Sequence, residues 1–207
     1  MLTYYHAVRE VASQIRSAID HSVEALQQGR VEQEPAMTDR MLGAIEQSLE
    51  GFRTRGIRWG AKTLTDRGKG SQESRYGADF MGVLNVSLPD YAVSKGFLAQ
   101  AKMLRGGSVD GLDELKRQCE RMLNLSPDAF VFLYDIKGVR VVSAISVIAT
   151  NSDPTFLYSR SAKRFFEEHL QCFIGDRAIQ SPTPQALEDL RRRYEMRSAV
   201  VIAAEAD

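Results

Sequence analysis

Two short stretches of this 207-residue chain carry side chains suited to chemistry on a phosphate: Gly77-Ala78-Asp79-Phe80 and, further along, Leu98-Ala99-Gln100-Ala101-Lys102. In an extended strand alternate side chains share a face, so Gln100 and Lys102 point together while Ala99 and Ala101 point away. With Asp79 on the neighbouring strand, a carboxylate, a carboxamide and an ammonium group converge. Hydrolysis of a phosphodiester calls for a divalent ion to neutralise charge building on the phosphate, and for a water deprotonated close by. Asp79 supplies an anionic oxygen, Gln100 a neutral amide oxygen and Ala101 its backbone carbonyl, a ligand set that suits Mg²⁺. Lys102 is placed to orient or help activate the attacking water and to offset developing negative charge.

Taken singly, Asp79 is also a turn residue, and Gln100 with Lys102 a solvated strand face. Their order on successive expected strands lifts them above short patterns that recur by chance. Lys102 is the hardest to explain otherwise. It lies between Leu98 and Met103-Leu104 in a strand expected to be central, where an unpaired ammonium is costly, and a carboxylate such as Asp79 would offset that cost. Competing chemistries fare worse. His6, His21 and His169 fall on helical stretches without metal-ligand spacing. Gly68-Lys69-Gly70-Ser71 lacks the first glycine of a phosphate loop and follows no strong strand. Trp59 and the Phe165-Phe166 pair are read as core rather than as base-stacking platforms.

The GADF and LAQAK motifs together resemble the PD-(D/E)XK nucleases, in the variant where glutamine replaces the usual second acid. The likeness runs from about Glu34 to Ala149. It implies a restriction-endonuclease-like αβββαβ core that cuts DNA with Mg²⁺, for which Mn²⁺ would substitute, and a role in restriction or anti-phage defence. Glutamine at position 100 leaves one anionic ligand fewer, and relatives of this type often carry a further acid on a helix ahead of the sheet. Glu34, in the EPAMT segment, matches that placement and is also what the macrodipole favours in a first helical turn. Glu73, just before the GAD turn, competes with it and also reads as a solvated loop acid. Asp79, Gln100, Lys102 and Glu34 therefore form the expected catalytic set, with Asp79, Gln100, Ala101 and Glu34 or Glu73 around the metal.

The elements that must position these residues follow from periodicity. Val8, Val11, Ile15, Ile19, Val23 and Leu26 mark an amphipathic helix from Tyr4 to Leu26 that stops at Gly29. A second helix opens near Pro35 with a stripe of Met41, Leu42, Ile45, Leu49 and Phe52. Thr54 to Gly77 reads as a strand fragment at Ile57 to Ala61 and then a basic, mobile loop. Strands at Ala78 to Leu88 and Gly96 to Leu104 flank the turn-like PDYAVSKG, rather long for a tight hairpin. A crossover helix through Leu112 and Leu123 leads to strands at Ala129 to Tyr134 and Val139 to Ala149. Ser161 to Ile174 and Pro184 to Arg193 read as helices, and Ala199 to Ala203 as an edge strand. The reading is a mixed α/β (α+β) fold: an N-terminal helix over residues 1–30 packed on or extending a nuclease domain over residues 31–207, with extra helices at both ends.

Composition sets the outer limits. Lys plus Arg balances Asp plus Glu at 27 each, so DNA binding must come from local clusters such as Arg53, Arg55, Arg58, Lys62, Arg67 and Lys69, and Arg191 to Arg193. The lack of any long apolar run points to a cytoplasmic protein without a membrane partner. Cys119 and Cys172 are expected to be reduced core residues on helices. The expected partner is double-stranded DNA, with a homodimer or a partner defence subunit supplying a second active site or targeting. The rival is a catalytically inactive nuclease-fold subunit that recruits DNA to a partner.

Overall fold

Apolar side chains at three- and four-residue steps build helix α1 (Leu2–Gln27), whose Val8, Val11, Ile15 and Ile19 are fully buried. This computed structural model describes residues 2–65, 76–180, 188–190, 192 and 196–207. Helix α2 (Glu34–Leu49) starts with Pro in its first turn and buries Met37, Met41, Leu42, Ile45 and Leu49. Phe52 lies beyond its end, half-buried against the same core.

Among the described residues eight strands form one sheet: β1 (Arg53–Thr54), β2 (Ile57–Thr65), β3 (Phe80–Leu88), β4 (Tyr91–Met103), β5 (Ala129–Asp135), β6 (Gly138–Ser143), β7 (Arg160–Ser161) and β8 (Ser198–Ala206). Their order across the sheet is β1-β2-β8-β3-β4-β5-β6-β7. The sheet is mixed, with β8 parallel to β3 and β4 parallel to β5, and the other neighbours antiparallel. The antiparallel β3-β4 pair, the crossover helix α3 (Leu112–Leu123) and parallel β5 follow the expected order.

The two sheet faces carry separate cores. On one, α1, α2 and α5 (Ala162–Leu170) cover Phe80, Phe97, Ala99, Ala101, Phe130 and Phe132; on the other, α3 and the short α4 (Ala144–Ile148) cover Met81, Leu98, Val131 and Leu133. Helix α1 is thus part of the main core. Phe97 is the hub of the first face, with ring centroids 4.9 Å from Phe165, 6.2 Å from Phe132 and 5.0 Å from the His169 imidazole. Such aromatic pairs are worth about 0.5–1.5 kcal/mol each beyond the area they bury. Trp59, Phe165 and Phe166 are buried, as expected of core residues.

Several boundaries differ from the expectation. The β3-β4 hairpin is tight, with Leu88 paired to Tyr91 around Pro89-Asp90, because Val93, Ser94 and Lys95 continue the ladder. Strand β2 runs on to Thr65. Residues 144–148 form a helix, with Ala144 and Val147 buried on one side. The C-terminal strand lies inside the sheet rather than at its edge: β8 is inserted between β2 and β3, and its inner residues Ala199, Val200, Ile202 and Ala204 are buried. Cys119 is buried on α3, but Cys172 is exposed in a turn after α5. Glu73, Arg67, Lys69, Arg191 and Arg193 lie outside the described residues, as does most of the stretch from Pro184 to Arg193.

The hairpin gives a direct test of packing. A Cβ on Gly82 would fall 2.3 Å from the Phe97 ring, which its aromatic neighbours hold in place. Gly82→Ala is expected to cost about 1–3 kcal/mol and lower the melting temperature. Gly60→Ala, with nothing within 4 Å of the added carbon, should leave melting unchanged or slightly raised.

Candidate active site

At one end of the sheet the strands part. β3 begins at Phe80, while its partner β4 runs on past Ala99 to Met103. The chain reaches this fork through Gly77, at φ +76, where a Cβ would come 2.5 Å from the Gln118 carbonyl oxygen of α3. Only glycine fits there, and the sharp entry turns the backbone away just before Asp79. Asp79 still holds the ladder by its main chain: its N–H donates to the Ala99 carbonyl at 2.8 Å, and its carbonyl accepts from Ser198 N–H at 3.3 Å.

Its side chain then takes over where the strand has gone. Asp79 Oδ2 accepts from Ala101 N–H at 2.8 Å and from Gln100 Nε2 at 2.7 Å. The Gln100 amide also donates to the Ala101 carbonyl at 3.2 Å. Asp79, Gln100 and the Ala101 carbonyl are thus together, as their spacing implied. Burial, the largest cause, pushes the Asp79 carboxyl up to about 6; the Ala101 N–H and the positive charge of Lys102 pull the other way, and Glu34 reinforces the rise.

Lys102 shares the face of Gln100, but its nearest carboxylate is Glu34 rather than Asp79, with Nζ 3.9 Å from Glu34 Oε2. Glu34 opens α2, and its Oε1 accepts from Met103 N–H at 2.9 Å, fastening the helix start to the end of β4. Glu34, one of the two acids expected as a further ligand, is therefore at the fork. Below it the fully buried Tyr134 hydroxyl meets Thr38 Oγ1 at 2.9 Å, and Thr38 Oγ1 donates to the Glu34 carbonyl at 3.0 Å. Burial pushes the Tyr134 hydroxyl well above the usual phenol range, so it stays a neutral donor.

Three participants escaped the sequence reading: Tyr134, Asp39 and Arg197. Asp39 holds Arg197 at 2.8 Å and Ser198 Oγ at 3.0 Å, pinning the start of β8 beside Asp79. Asp39 lies within the second helix and Arg197 just ahead of an expected edge strand, so only the central placement of β8 brings them here. With Lys102 and Arg197 against Glu34, Asp39 and Asp79, the fork keeps a formal excess of one negative charge.

Among the described residues no three His, Cys, Asp or Glu side chains converge as a metal cluster. A hard cation here would instead draw on two carboxylates and neutral oxygens. The arrangement fits that demand, because the Gln100 NH₂ sits between two acceptors, Asp79 Oδ2 and the Ala101 carbonyl, as a cation shared by them would. With a cation in that place, the Gln100 amide would move aside and turn to present its oxygen to the ion as a neutral ligand. His6 and His21 are exposed on α1, and His169 is buried on α5 against Phe97 with Nδ1 3.1 Å from the Ile174 carbonyl, so all three lie on elements that supply none of this constellation.

No protein-family model matches the chain, and no curated protein or solved structure is significantly similar to it.

The raised Asp79 carboxyl has a signed consequence. The folded state favours its protonated form, so its contribution to stability is full below 3.8 and is lost as pH rises through about 6. In EDTA, Asp79→Asn should be more stable than the native chain at pH 8, by about 1–2 kcal/mol given its partial exposure, and the gap should close towards pH 4. Thermal melts across that range decide; a gap that widens in acid would contradict the burial argument.

Proposed function

We propose that the chain is a metal-dependent deoxyribonuclease with a restriction-endonuclease-like core. The observation that carries this reading is the fork itself, where Asp79, Gln100 with the Ala101 carbonyl, Lys102 and Glu34 meet at the parting of β3 and β4. The order α2, β2, β3, β4, α3, β5 supports it as the αβββαβ core, elaborated by β8 between β2 and β3.

Asp79, Gln100, the Ala101 carbonyl and Glu34 would hold Mg²⁺ or Mn²⁺, which supplies Lewis acidity towards the phosphate and lowers the pKa of nearby water. Asp79 would bind through its carboxylate, whose direction the Ala101 N–H fixes. Glu34 holds the Lys102 ammonium beside the fork while anchoring α2 through Met103 N–H. Lys102, mostly shielded from solvent, is placed to hydrogen-bond the attacking water or a phosphate oxygen and to offset the charge that develops there. Supported by the family resemblance alone, the substrate is double-stranded DNA and the setting restriction or anti-phage defence in the cytoplasm. No helix among the described residues is long and apolar enough to cross a membrane.

Supercoiled plasmid is the test substrate, with Mg²⁺, Mn²⁺ or EDTA and binding recorded in parallel. Cutting should require metal and fall about 10²-fold or more in Lys102→Ala and Asp79→Ala while DNA binding persists. Gln100→Glu, which adds the missing anionic ligand, should tighten Mn²⁺ binding measured by calorimetry. DNA binding without cutting in any protein would support the inactive recruiting subunit instead.

A further inference from the structure

Away from the fork, the β6-β7 edge of the sheet joins two features that the proposed chemistry does not use. One is a polar depression of about 690 Å³ between α1, the β5-β6 turn and the start of α5, whose lining includes Arg16, Lys137, Arg140 and Lys163. Two carboxylates, Asp20 and Asp135, also line it; Asp20 is held by Arg16 at 3.1 Å, and Asp135 accepts from Lys137 N–H at 3.3 Å. Four cations against these two acids and Glu167, which pairs with Lys163, leave the depression with an excess of one positive charge. Arg140 donates to the Thr155 carbonyl at 3.4 Å and Lys163 lies 3.7 Å from Glu167, while the Lys137 ammonium has no ion-pair partner among the described residues.

The other feature is a pair of aromatic rings held out in water. Phe156 is 84% exposed and Tyr158 76% exposed, on the segment that enters β7. Leu157 between them is partly buried against the α3-α4 core, so the backbone is anchored while both rings face outward. The Arg160 guanidinium lies over the Tyr158 ring, 5.6 Å from its centroid. Ser159, the next residue, lines the depression, so along the chain Tyr158 directly adjoins it.

We propose that this edge binds a single-stranded segment of DNA, with phosphates over the cationic depression and unpaired bases on Phe156 and Tyr158. Cations that track a backbone beside rings that take bases are the two parts of a single-strand binding surface, and rings standing free have no partner inside a base-paired duplex. The edge is also in register with the fork. Lys102 pairs with Leu133, Leu133 with Arg140 and Arg140 with Ser161, one row across four strands. At about 4.8 Å per strand the edge lies about 14 Å from Lys102, some four nucleotides of stacked strand at about 3.4 Å each. The inference takes its ligand class from the nuclease reading and adds a preference: DNA with an unpaired stretch beside the scissile phosphate.

The test is fluorescence anisotropy of the full chain in EDTA with three labelled DNAs: a single strand, a blunt duplex, and a duplex with a single-stranded tail. Phe156→Ala/Tyr158→Ala should bind the single strand and the tailed duplex about 10- to 100-fold more weakly and the blunt duplex unchanged. Lys137→Gln/Lys163→Gln should make the dependence of log K on log salt shallower by about 1 to 1.5 for the single strand. Unchanged melting confirms that both variants fold. An equal loss on all three DNAs, no loss on any, or sedimentation showing that the aromatic pair joins two copies of the chain would overturn the proposal. Plasmid cleavage by the same preparations separates it from the nuclease reading. Metal-dependent cutting without aromatic dependence of binding sinks the edge alone, and aromatic-dependent binding without any cutting sinks the nuclease alone.

Discussion

The hydrogen bond from Ala101 N–H to the Asp79 carboxylate is the contact on which the fork depends. Where β3 stops, β4 has a backbone donor with no strand opposite it, and an unsatisfied buried N–H is expensive. A carboxylate meets that need and in return is held in one orientation beside the Ala101 carbonyl and the Gln100 amide. The second strand end is finished the same way, Glu34 accepting from Met103 N–H. Two acids therefore complete a ladder that the fold leaves open, and both are anchored to the main chain of β4 rather than to loops. Side chains so tied are positioned to within the tolerance of the backbone, which suits a site that must hold its groups before a substrate arrives.

Local pattern carried most of the framework. The stripe from Val8 to Val23 and that from Met41 to Leu49 specify α1 and α2 because helices bury one face at a fixed period. Asp79, Gln100 and Lys102 were legible together because strand alternation and a tight entry at Gly77 are local facts as well. What escaped is non-local. Ala199 to Ala204 are small and β-branched, which says strand, but nothing in them says which neighbours they take. A central position needs partners on both sides, here Thr63 and Gly82 flanking Val200, and those lie far away in sequence. Arg197 and Asp39 were invisible for the same reason. Ile145, Val147 and Ile148 misled in the opposite sense, since their β-branched character is overridden by packing of α4 against the sheet.

The two lysines of β4 that are shielded from solvent, one buried and one half-buried, refine what burial can say about function. Lys95 is the more deeply buried, at 2% exposure, and its polar, turn-like neighbours hid it within an apparent loop. Its ammonium donates to the Ile174 carbonyl and lies close to the Cys172 thiol, and burial pulls its pKa down. Lys102 is less buried but faces a carboxylate at an open strand end. The cost of a buried ammonium, taken alone, singles out Lys95. The setting distinguishes them, for Lys95 ties a turn to the middle of a strand, whereas Lys102 stands where strands part and another molecule has room to enter.

The central place of β8 also has a consequence in time. On a ribosome the chain emerges in order, and on the order of ten seconds separate the appearance of β3 from that of β8 at ordinary elongation rates. Over that interval β2 and β3 have no shared neighbour, and each presents an unpaired edge open to the wrong strand. Ser198 and Arg197, which hold Asp79 and Asp39, arrive only with β8. A nascent chain thus carries its acids and its lysine without the brace that sets them, so whatever the fork does to a substrate is withheld until the sheet has been closed from its middle.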